Sequence, residues 1–241
     1  MRALLLSAGL GTRLGPYTES VPKCMVQVAG RPLVARTVEW LRDRGIDDLT
    51  MNLHHRPEVI ERYFGDGSSH GVRMRYSYEP ELLGTAGALL PPRSRFAGDR
   101  FLVVYADNLI QCDLDRLTSL HEDLHAILTI ALFAREDVSA SGVAEVDDRG
   151  RVHAFREKPR PDEIAGNWVS AGLLLCEPRV LDYVPQGQAS DFGTDVLPAI
   201  IGAGETVGGY RMGAEESLLW IDTPTDLASA DELLRRREAI V

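Results

Sequence analysis

The sequence predicts an α/β fold that begins as a doubly wound parallel sheet and continues into a mixed sheet. In the first half, short apolar runs alternate with helical patterns, which is typical of parallel strands covered by helices. In the second half, strand patterns follow one another directly. The turn sequence DDRG at residues 147–150 lies between two of these patterns and indicates a β-hairpin.

The elements of the first half are predicted from apolar runs that end at glycine or at a polar turn. The predicted strands are residues 3–6, 49–53, 72–77 and 101–105. The predicted helices are residues 32–44 and 57–64, each with a proline in its first turn and a glycine directly after its last residue.

The second half carries more strand patterns than helical ones. The predicted strands are residues 126–133, 142–146, 152–155 and 169–176, and the predicted helices are residues 194–202 and 224–237. No internal repeat, low-complexity tract or linker rich in Pro, Gly or Ser interrupts the chain. We therefore expect residues 1–241 to form a single domain.

Composition restricts the class of protein. The 241 residues include 26 Lys and Arg against 36 Asp and Glu, a net charge of −10, which argues against nucleic-acid binding because that needs a basic face. The longest mainly apolar run, residues 126–134, is too short to span a membrane, and the N-terminal apolar stretch is too short for a secretory signal. Three widely spaced cysteines fit a reducing compartment. We expect a cytoplasmic protein.

The main chemical signal is a glycine loop, residues 8–12 (AGLGT), directly after the first predicted strand. Its two glycines permit a tight turn and the close approach of a ligand, and successive N–H groups in such a loop form a site for anions. Arg13 and Lys23 follow in the same segment, and Arg13 offers a bidentate fork to phosphate oxygens. In an acidic chain, these cations predict a polyphosphate site. The glycines alone fit an ordinary β-turn-α connection equally well.

Two familiar phosphate loops do not match. The string GxxxxGK[ST] is absent, and Leu14 stands where the dinucleotide fingerprint needs its third glycine. The wider segment of residues 9–33, GLGTRLGPYTESVPKCMVQVAGRPL, resembles the signature of the sugar-1-phosphate nucleotidyltransferases, approximately GxGTRLxPxTxxxPKxMxxVxGxPL. The resemblance implies a Rossmann-like nucleotidyltransferase fold with a central mixed, mostly parallel sheet flanked by helices.

Later segments resemble further elements of this family, in the same order. They are EPELLGTAG (79–87), VVYADN (103–108), FREKP (155–159), SAG (170–172) and WIDTPT (220–225). The first is most similar to mannose-1-phosphate and heptose-1-phosphate guanylyltransferases. The sequence leaves no room for the β-helix of some relatives, so we expect no added acetyltransferase function.

The resemblance implies a reaction of a nucleoside triphosphate with a sugar 1-phosphate, assisted by Mg²⁺, and a set of residues for it. The nucleotide-binding half is about 1–115 and the sugar-phosphate-binding half about 116–241. The implied catalytic residues are Arg13, Lys23, Asp107, Lys158 and Asp222, with Asp107 and Asp222 as metal ligands. The implied nucleotide-binding residues are Leu6, Ala8, Gly9, Gly11, Thr12, Arg13, Lys23, Glu79, Gly84, Thr85 and Asp107. The implied sugar-phosphate-binding residues are Asn108, Glu157, Lys158, Ser170, Gly172 and Asp191.

Departures from the family pattern leave the substrates open. The LGTAG string favours GTP, whereas Ala8 is common in the uridylyl-transferring branch and keeps UTP as an alternative. Ala106, Ser170 and Pro224 replace a usual Gly, Asn and Gly. Mannose 1-phosphate, a heptose 1-phosphate, N-acetylmuramate 1-phosphate and a cyclitol phosphate all remain candidates. A homodimer is the default assembly for such an enzyme.

Other classes of protein are weighed against the enzyme. A catalytically silent homologue that senses nucleotide sugars would have lost the cations or carboxylates, which are all present. A glycosyltransferase would typically carry a DxD motif where a central strand ends. Here the strand of residues 101–105 is followed by Asp107 and Asn108, and a DxD string occurs only later, at residues 113–115.

Three features also have simpler readings. Asp107 and Asp222 both resemble residues that cap a helix. Residues 121–125, HEDLH, satisfy the zinc-protease string HExxH, but the strand pattern starts at 126, so we expect a solvated helix end instead of a zinc site. We expect the cysteines to be structural.

Overall fold

The computed structural model describes residues 1–164 and 166–238. Its strands are β1 (Arg2–Leu6), β2 (Gln27–Val28), β3 (Arg31–Pro32), β4 (Asp48–Leu53), β5 (Arg73–Tyr78), β6 (Phe101–Tyr105), β7 (Asn108–Gln111), β8 (Leu128–Ala134), β9 (Gly142–Val146), β10 (Val152–Glu157), β11 (Trp168–Cys176), β12 (Val207–Arg211) and β13 (Ser217–Trp220). Its α-helices are α1 (Leu33–Arg42), α2 (Pro57–Phe64), α3 (Gly84–Gly87), α4 (Arg93–Phe96), α5 (Leu114–Asp123), α6 (Leu197–Gly202) and α7 (Pro224–Glu238).

The described chain divides into two compact units. The first unit contains Met1–Leu82, Tyr105–Gln111 and the described residues from 218 onward. The second unit contains Leu83–Val104 and Cys112–Ser217. Each unit therefore combines segments that are distant in the sequence.

The first unit is built on parallel strands. β1 pairs with β4, and β4 pairs with β5, both in parallel. The central residues of β1, Ala3 to Leu5, are fully buried. Burial on both faces explains why the sequence of β1 is a continuous apolar run instead of an alternating one.

Helix α1 is shorter than the predicted helix of residues 32–44. Pro32 keeps an extended backbone, with ψ at 139°, because it pairs with Gln27 between β2 and β3. Gly45 adopts a left-handed conformation, and the N–H of Ile46 then donates to the carbonyl of Leu41 at 3.0 Å. The helix itself ends at Arg42, and Gly45 supplies the left-handed residue of the turn that follows it.

Helix α7 is anchored in the first unit against the segment that follows the glycine loop. A buried apolar cluster joins the two, and its members are Leu14, Val26, Val28, Leu33, Ile221, Leu227 and Ala230. The carboxylate of Asp231 also accepts the N–H of Ala29 at 2.6 Å. Ala29 has a left-handed backbone, with φ at 49°, so the helix fixes a turn that would otherwise be unfavourable.

The second unit is mainly antiparallel. β11 pairs antiparallel with β6, β8 and β9, while β12 pairs parallel with β8. β9 and β10 form the antiparallel hairpin that the DDRG turn predicts. The predicted α/β fold with a mixed sheet flanked by helices is confirmed.

Several elements differ from the prediction. Strands β2, β3, β7, β12 and β13 were not expected. The predicted helix of residues 194–202 is a π-helical turn, Phe192–Val196, followed by α6. Pro198 lies in the first turn of α6, where its missing N–H costs no helical hydrogen bond. Among the described residues, no helix combines the length and the apolar character needed to cross a membrane.

Candidate active site

The glycine loop leaves β1 and turns back against Lys23. Gly11 has a φ of +63° and is followed by a 3-10 turn, Thr12–Thr18. A Cβ on Gly11 would lie 2.6 Å from the Cβ of Lys23. Glycine is therefore required here for its backbone conformation and for the close approach of the lysine stem. The hydroxyl of Thr18 donates to the carbonyl oxygens of Gly11 and Gly15, at 3.1 Å each, and closes the loop.

Lys23 is the centre of the site in the first unit. Only 6% of the residue is exposed, and its Nζ donates to Asp107 Oδ2 at 2.8 Å and to Asp222 Oδ1 at 2.6 Å. Burial on its own lowers the pKa of Lys23, but the charges and hydrogen bonds of the two carboxylates outweigh it and raise the pKa above its ordinary value. The ammonium group therefore stays charged at neutral pH.

Arg13 contacts the same carboxylate from the solvent side. Its Nη2 lies 3.0 Å from Asp222 Oδ1, and 66% of its side chain is exposed. An exposed ion pair contributes little to stability. The guanidinium can therefore leave Asp222 at little cost and bind an incoming anion.

The position of Asp222 is set by the start of α7. Asp226 Oδ2 accepts the N–H of Asp222 at 3.2 Å and that of Thr223 at 2.9 Å, while Thr223 Oγ1 accepts the N–H of Asp226 at 3.2 Å. This is a capping box, with Pro224 at the first helical position. The helix cap is made by Thr223 and Asp226, so the carboxylate of Asp222 is directed to Lys23.

Asp107 lies in the turn between β6 and β7. The preceding residue, Ala106, is buried and donates its N–H to the carbonyl of Leu6 at 3.1 Å. This bond holds the turn beside the end of β1, from which the glycine loop starts. Asn108, at the start of β7, is buried. The alternative that Asp107 caps a helix does not hold, because Asp113 caps α5.

The two carboxylates fit a divalent cation of the Mg²⁺ type. Asp107 and Asp222 both reach one cationic atom, the Nζ of Lys23, and 38% and 26% of their side chains are exposed. Mg²⁺ prefers hard oxygen ligands and is usually held by one or two carboxylates, with water and phosphate oxygens completing its shell. In the part of the chain that the structure describes, no cluster of three or more His, Cys, Asp or Glu side chains forms a fuller metal site.

The LGTAG segment forms a tight turn in the second unit. The carbonyl of Ser190 accepts the N–H groups of Ala86 and Gly87 at 2.9 and 3.0 Å. A Cβ on Gly84 would lie 2.4 Å from that same carbonyl oxygen. Asp191 Oδ1 accepts both the N–H and the hydroxyl of Thr85, at 2.8 and 2.9 Å. Asp191, which was expected to bind the sugar, therefore holds the LGTAG turn. The sequence did not predict this contact.

Glu157 and Lys158 follow each other at the end of β10 in the second unit. Desolvation raises the pKa of Glu157, the charge of Lys158 lowers it, and the nearby Asp191 raises it, with a net increase. Lys158 has a left-handed backbone, with φ at 47°, and its N–H donates to the carbonyl of Ser141 at 3.0 Å. A non-glycine residue in this conformation is uncommon and is found mostly at constrained turns.

Ser170 and Gly172 lie at an irregularity of β11. The Oγ of Ser170 accepts the N–H of Gly172 at 3.2 Å, and Gly172 has a φ of +74°. The pairing of β11 with β8 shifts between Ser170 and Leu174. Such irregularities redirect side chains and are common next to functional sites.

The structure thus brings the predicted residues together in two groups. Within the first unit it joins Arg13, Lys23, Asp107 and Asp222 beside the loop of Leu6, Ala8, Gly9, Gly11 and Thr12. Within the second unit it joins Thr85 to Asp191, and it places Asp191 near Glu157. Glu79, which the resemblance places near the base, has a side chain that is buried in the first unit and accepts a hydrogen bond from Asn52 at 2.9 Å.

The HExxH string does not lie on one continuous helix. His121 lies in α5, but His125 follows the helix with a left-handed backbone, so the two rings do not share one helical face. The expectation of a solvated helix end is wrong for His121. It is buried, with Nδ1 2.8 Å from Thr129 Oγ1 and Nε2 3.2 Å from Glu177 Oε1. Both partners lie beyond the helix, in β8 and directly after β11, which the helical pattern alone does not reveal.

The three cysteines of the chain are buried. Cys24, Cys112 and Cys176 are free and buried, as expected of structural cysteines. Burial raises the pKa of Cys24 to about 12, so it is an unreactive thiol. Sequence reasoning missed Asn52 and Asp226. A polar residue inside a predicted buried strand was the signal for Asn52, and the TPTD string, a capping box, was the signal for Asp226.

The site and fold define the class of the protein. The chain belongs to the nucleotidyl transferase family, which matches residues 2–234. The expected membership of the sugar-1-phosphate nucleotidyltransferases is confirmed at this level.

Named relatives show the range within the family. The chain is 36% identical over 235 residues to a UTP–glucose-1-phosphate uridylyltransferase of Synechocystis sp., covering 92% of this chain and 60% of that protein. It is 33% identical over 236 residues to a mannose-1-phosphate guanylyltransferase of Mycobacterium tuberculosis, covering 95% and 64%. The chain thus spans less than two thirds of the length of these relatives.

Solved structures support the fold. A putative glucose-1-phosphate thymidylyltransferase from Bacillus anthracis, in complex with a sucrose, superposes with a TM-score of 0.86 at 21% identity, covering 98% of this chain and 95% of that one. HddC from Yersinia pseudotuberculosis, complexed with GMP-PN, superposes with a TM-score of 0.79 at 23% identity, covering 97% and 99%.

Proposed function

We propose that the chain is a sugar-1-phosphate nucleotidyltransferase, which converts a nucleoside triphosphate and a sugar 1-phosphate into a nucleoside diphosphate sugar and pyrophosphate. The observation that carries the proposal is the buried ammonium of Lys23, bonded to Asp107 and Asp222 beside the glycine loop. Such a group of cations and carboxylates suits phosphate oxygens and a divalent cation together. Membership of the nucleotidyl transferase family supports the same reaction.

The chemistry is a displacement at phosphorus. A phosphate oxygen of the sugar 1-phosphate forms a bond to the α-phosphorus while the bond to the departing pyrophosphate breaks. The attacking oxygen is already an anion, so no general base is needed. The barrier comes from bringing two anions together and from the charge that builds on pyrophosphate, so catalysis depends on positioning and charge neutralisation.

Residues of the first unit would bind the triphosphate and neutralise its charge. Backbone N–H groups from Ala8 to Thr12 bind the triphosphate. Arg13 holds the β- and γ-phosphates and neutralises pyrophosphate as it leaves, and Lys23 neutralises the α-phosphate. Asp107 and Asp222 would hold Mg²⁺, which would supply further neutralisation of the phosphate charge when bound.

The residues of the second unit receive the remaining roles. Lys158 neutralises the phosphate of the sugar 1-phosphate, since a lysine at the end of a strand offers a compact charge. Glu157 and Ser170 bind sugar hydroxyls. The LGTAG turn, with Gly84 and Thr85, binds the nucleotide, and Asp191 supports that turn through its two hydrogen bonds to Thr85.

The proposal also covers the identity of the two substrates. GTP is the proposed donor, supported by the EPELLGTAG string and by similarity to a mannose-1-phosphate guanylyltransferase. UTP is the second candidate, supported by 36% identity to a uridylyltransferase. The proposed acceptor is a mannose- or heptose-type 1-phosphate.

Pyrophosphate release tests the proposal. The purified chain is incubated with Mg²⁺ and every pairing of GTP, UTP, dTTP, ATP and CTP with a panel of sugar 1-phosphates. We expect release only when one triphosphate and one sugar phosphate are present together, and the active pair names both substrates. If no pairing releases pyrophosphate while calorimetry shows that a triphosphate binds, the chain is a nucleotide-sensing homologue and the proposal fails.

A further inference from the structure

Ser7, the residue directly before the glycine loop, is held by a side chain and not by the sheet. The last paired residues of β1 and β4 are Leu6 and Asn52. Beyond them, the N–H of Ser7 donates to the side-chain oxygen Oδ1 of Asn52 at 2.6 Å. Both residues are buried. The amide side chain therefore extends the hydrogen-bonding of the sheet by one residue, at the point where the backbone turns away.

The other end of the same amide is bound to a buried carboxylate. Asn52 Nδ2 donates to Glu79 Oε1 at 2.9 Å, and only 3% of Asn52 and 1% of Glu79 are exposed. The main chain of Glu79 is engaged as well, because its N–H donates to the carbonyl of Leu53 and its own carbonyl lies 2.8 Å from Nδ1 of His54. The side-chain Oε1, the N–H and the carbonyl of Glu79 are therefore all engaged within the first unit.

The orientation of the Asn52 amide has one chemical solution. The N–H of Ser7 can only donate, so the amide oxygen must face it. The amide nitrogen then faces Glu79 and donates to its Oε1. A chain of two hydrogen bonds therefore runs from the end of β5, through β4, to the start of the glycine loop.

We propose that Asn52 and Glu79 are positioning residues that fix the direction in which the glycine loop, residues 8–12, presents its N–H groups to the phosphates of the nucleotide. The proposal rests on the proposed function for the identity of the ligand. It assigns the carboxylate of Glu79 a role through Asn52 and Ser7 and not through direct contact with the base.

A reciprocal exchange of charge and amide tests this assignment. Asn52→Asp keeps an oxygen for the N–H of Ser7, but it removes the donor to Glu79 and faces one carboxylate with another. Glu79→Gln keeps an acceptor for Asn52. In the double variant Asn52→Asp/Glu79→Gln, the glutamine amide donates to the new carboxylate, and the N–H of Ser7 still donates to the same side chain. Both hydrogen bonds are therefore restored, with donor and acceptor exchanged in the bond between the two side chains.

Two measurements report on the glycine loop and do not require catalytic turnover. Calorimetry gives the dissociation constant of a non-hydrolysable triphosphate, and hydrogen exchange gives the protection of a peptide that contains Ser7 and the glycine loop. Asn52→Asp is expected to weaken triphosphate binding by about 10- to 100-fold, since small displacements of binding groups have effects of this size. Glu79→Gln and the double variant are expected to stay within about threefold of the unaltered chain. Protection of the loop follows the same order.

A matched control separates the loop from general destabilisation. Thr129→Val removes the hydroxyl partner of the buried His121 in the second unit, so it breaks a buried polar pair that has no bond to the glycine loop. It is expected to lower the melting temperature and to leave triphosphate binding unchanged. If Asn52→Asp does not fold, recovery of folding and binding in the double variant supports the proposal equally well.

Two results would overturn the positioning role. One is a double variant that binds triphosphate as weakly as Asn52→Asp. The other is a Glu79→Gln variant that changes the ranking among triphosphates, because direct contact with the base would be selective while loop positioning shifts all triphosphates by the same factor. Failure of the proposed function is seen separately, as binding without pyrophosphate release by the unaltered chain.

Discussion

Replacing Lys23 by methionine is the perturbation whose effect the structure defines most fully. The stem of Lys23 is buried, and methionine fills much the same volume, so the packing changes little. What disappears is the ammonium group that bridges Asp107 and Asp222. The two carboxylates then face each other without a shared cation.

The size of the effect follows from the two lost hydrogen bonds. Each charge-assisted bond contributes about 1.5–3 kcal/mol. The release of Lys23 from its own desolvation penalty and the partial solvation of both carboxylates offset part of this loss. We expect Lys23→Met to lower the free energy of unfolding by about 2–4 kcal/mol. For a chain of this size, that corresponds to a melting temperature lower by about 5–15 °C.

Thermal unfolding with and without divalent cation is the assay. In Lys23→Met, millimolar Mg²⁺ is expected to restore part of the lost stability, because a cation bound between the two carboxylates stabilises the folded state by mass action. The unaltered chain is expected to respond less, and NaCl of equal ionic strength controls for screening. A variant that melts with the unaltered chain, or an equal response of both to Mg²⁺, would refute the reasoning.

The remaining predictions concern catalysis, the α7 cap and pH. Asp107→Ala is expected to lower kcat by orders of magnitude with an unchanged far-UV spectrum, and near-normal pyrophosphate release by the folded variant would remove Asp107 from the metal site. Arg13→Ala is expected to lose more in kcat than in affinity for the sugar phosphate, and steady-state kinetics showing equal losses would indicate general damage to the site. Asp226→Ala is expected to lower the free energy of unfolding by about 1 kcal/mol and also to lower kcat, with recovery of both in Asp226→Glu, whereas a loss of stability alone would leave the residue as a plain helix cap. Burial lowers the pKa of His121 from its ordinary value of 6.5, an effect that its bond to Glu177 only partly opposes. The unfolded chain therefore binds the extra proton first, so stability is full above pH 6.5 and is lost as the pH falls below it. Melting curves from pH 8 to pH 5 are expected to show a smaller loss for His121→Gln than for the unaltered chain.

The parts of the fold that the sequence predicts well are short elements with a regular apolar pattern. Helix α2 and strands β6 and β9 begin and end at the predicted residues. Strand β12, with the sequence VGGYR, was missed because two glycines weaken a strand pattern. The structure gives their reason, since a Cβ on Gly208 would lie 2.5 Å from Thr129 Oγ1 and one on Gly209 would lie 2.8 Å from Leu132. Packing against a neighbouring strand cannot be read from a local pattern.

The candidate site was also predicted only in part. The residues Lys23, Asp107 and Asp222 are separated by up to 199 positions in sequence, and only their resemblance to family motifs brought them into one prediction. Their mutual hydrogen bonds are a product of the fold. Asn52 and Asp226 belong to no motif that the resemblance covered, and they act by holding backbone N–H groups. Such bonds depend on where neighbouring strands and helices end, which the sequence does not specify to the residue.

The central claim is that the chain transfers the nucleotidyl group of a triphosphate to the phosphate of a sugar. The direct measurement is to supply the triphosphate with a label at the α-phosphorus and to follow that label by mass spectrometry or ³¹P NMR. The account predicts that the label joins the sugar phosphate in a new diphosphate linkage, with one unlabelled pyrophosphate released for each labelled product. Label that remains in the triphosphate, or that appears in a nucleoside monophosphate with the sugar phosphate unchanged, would contradict it.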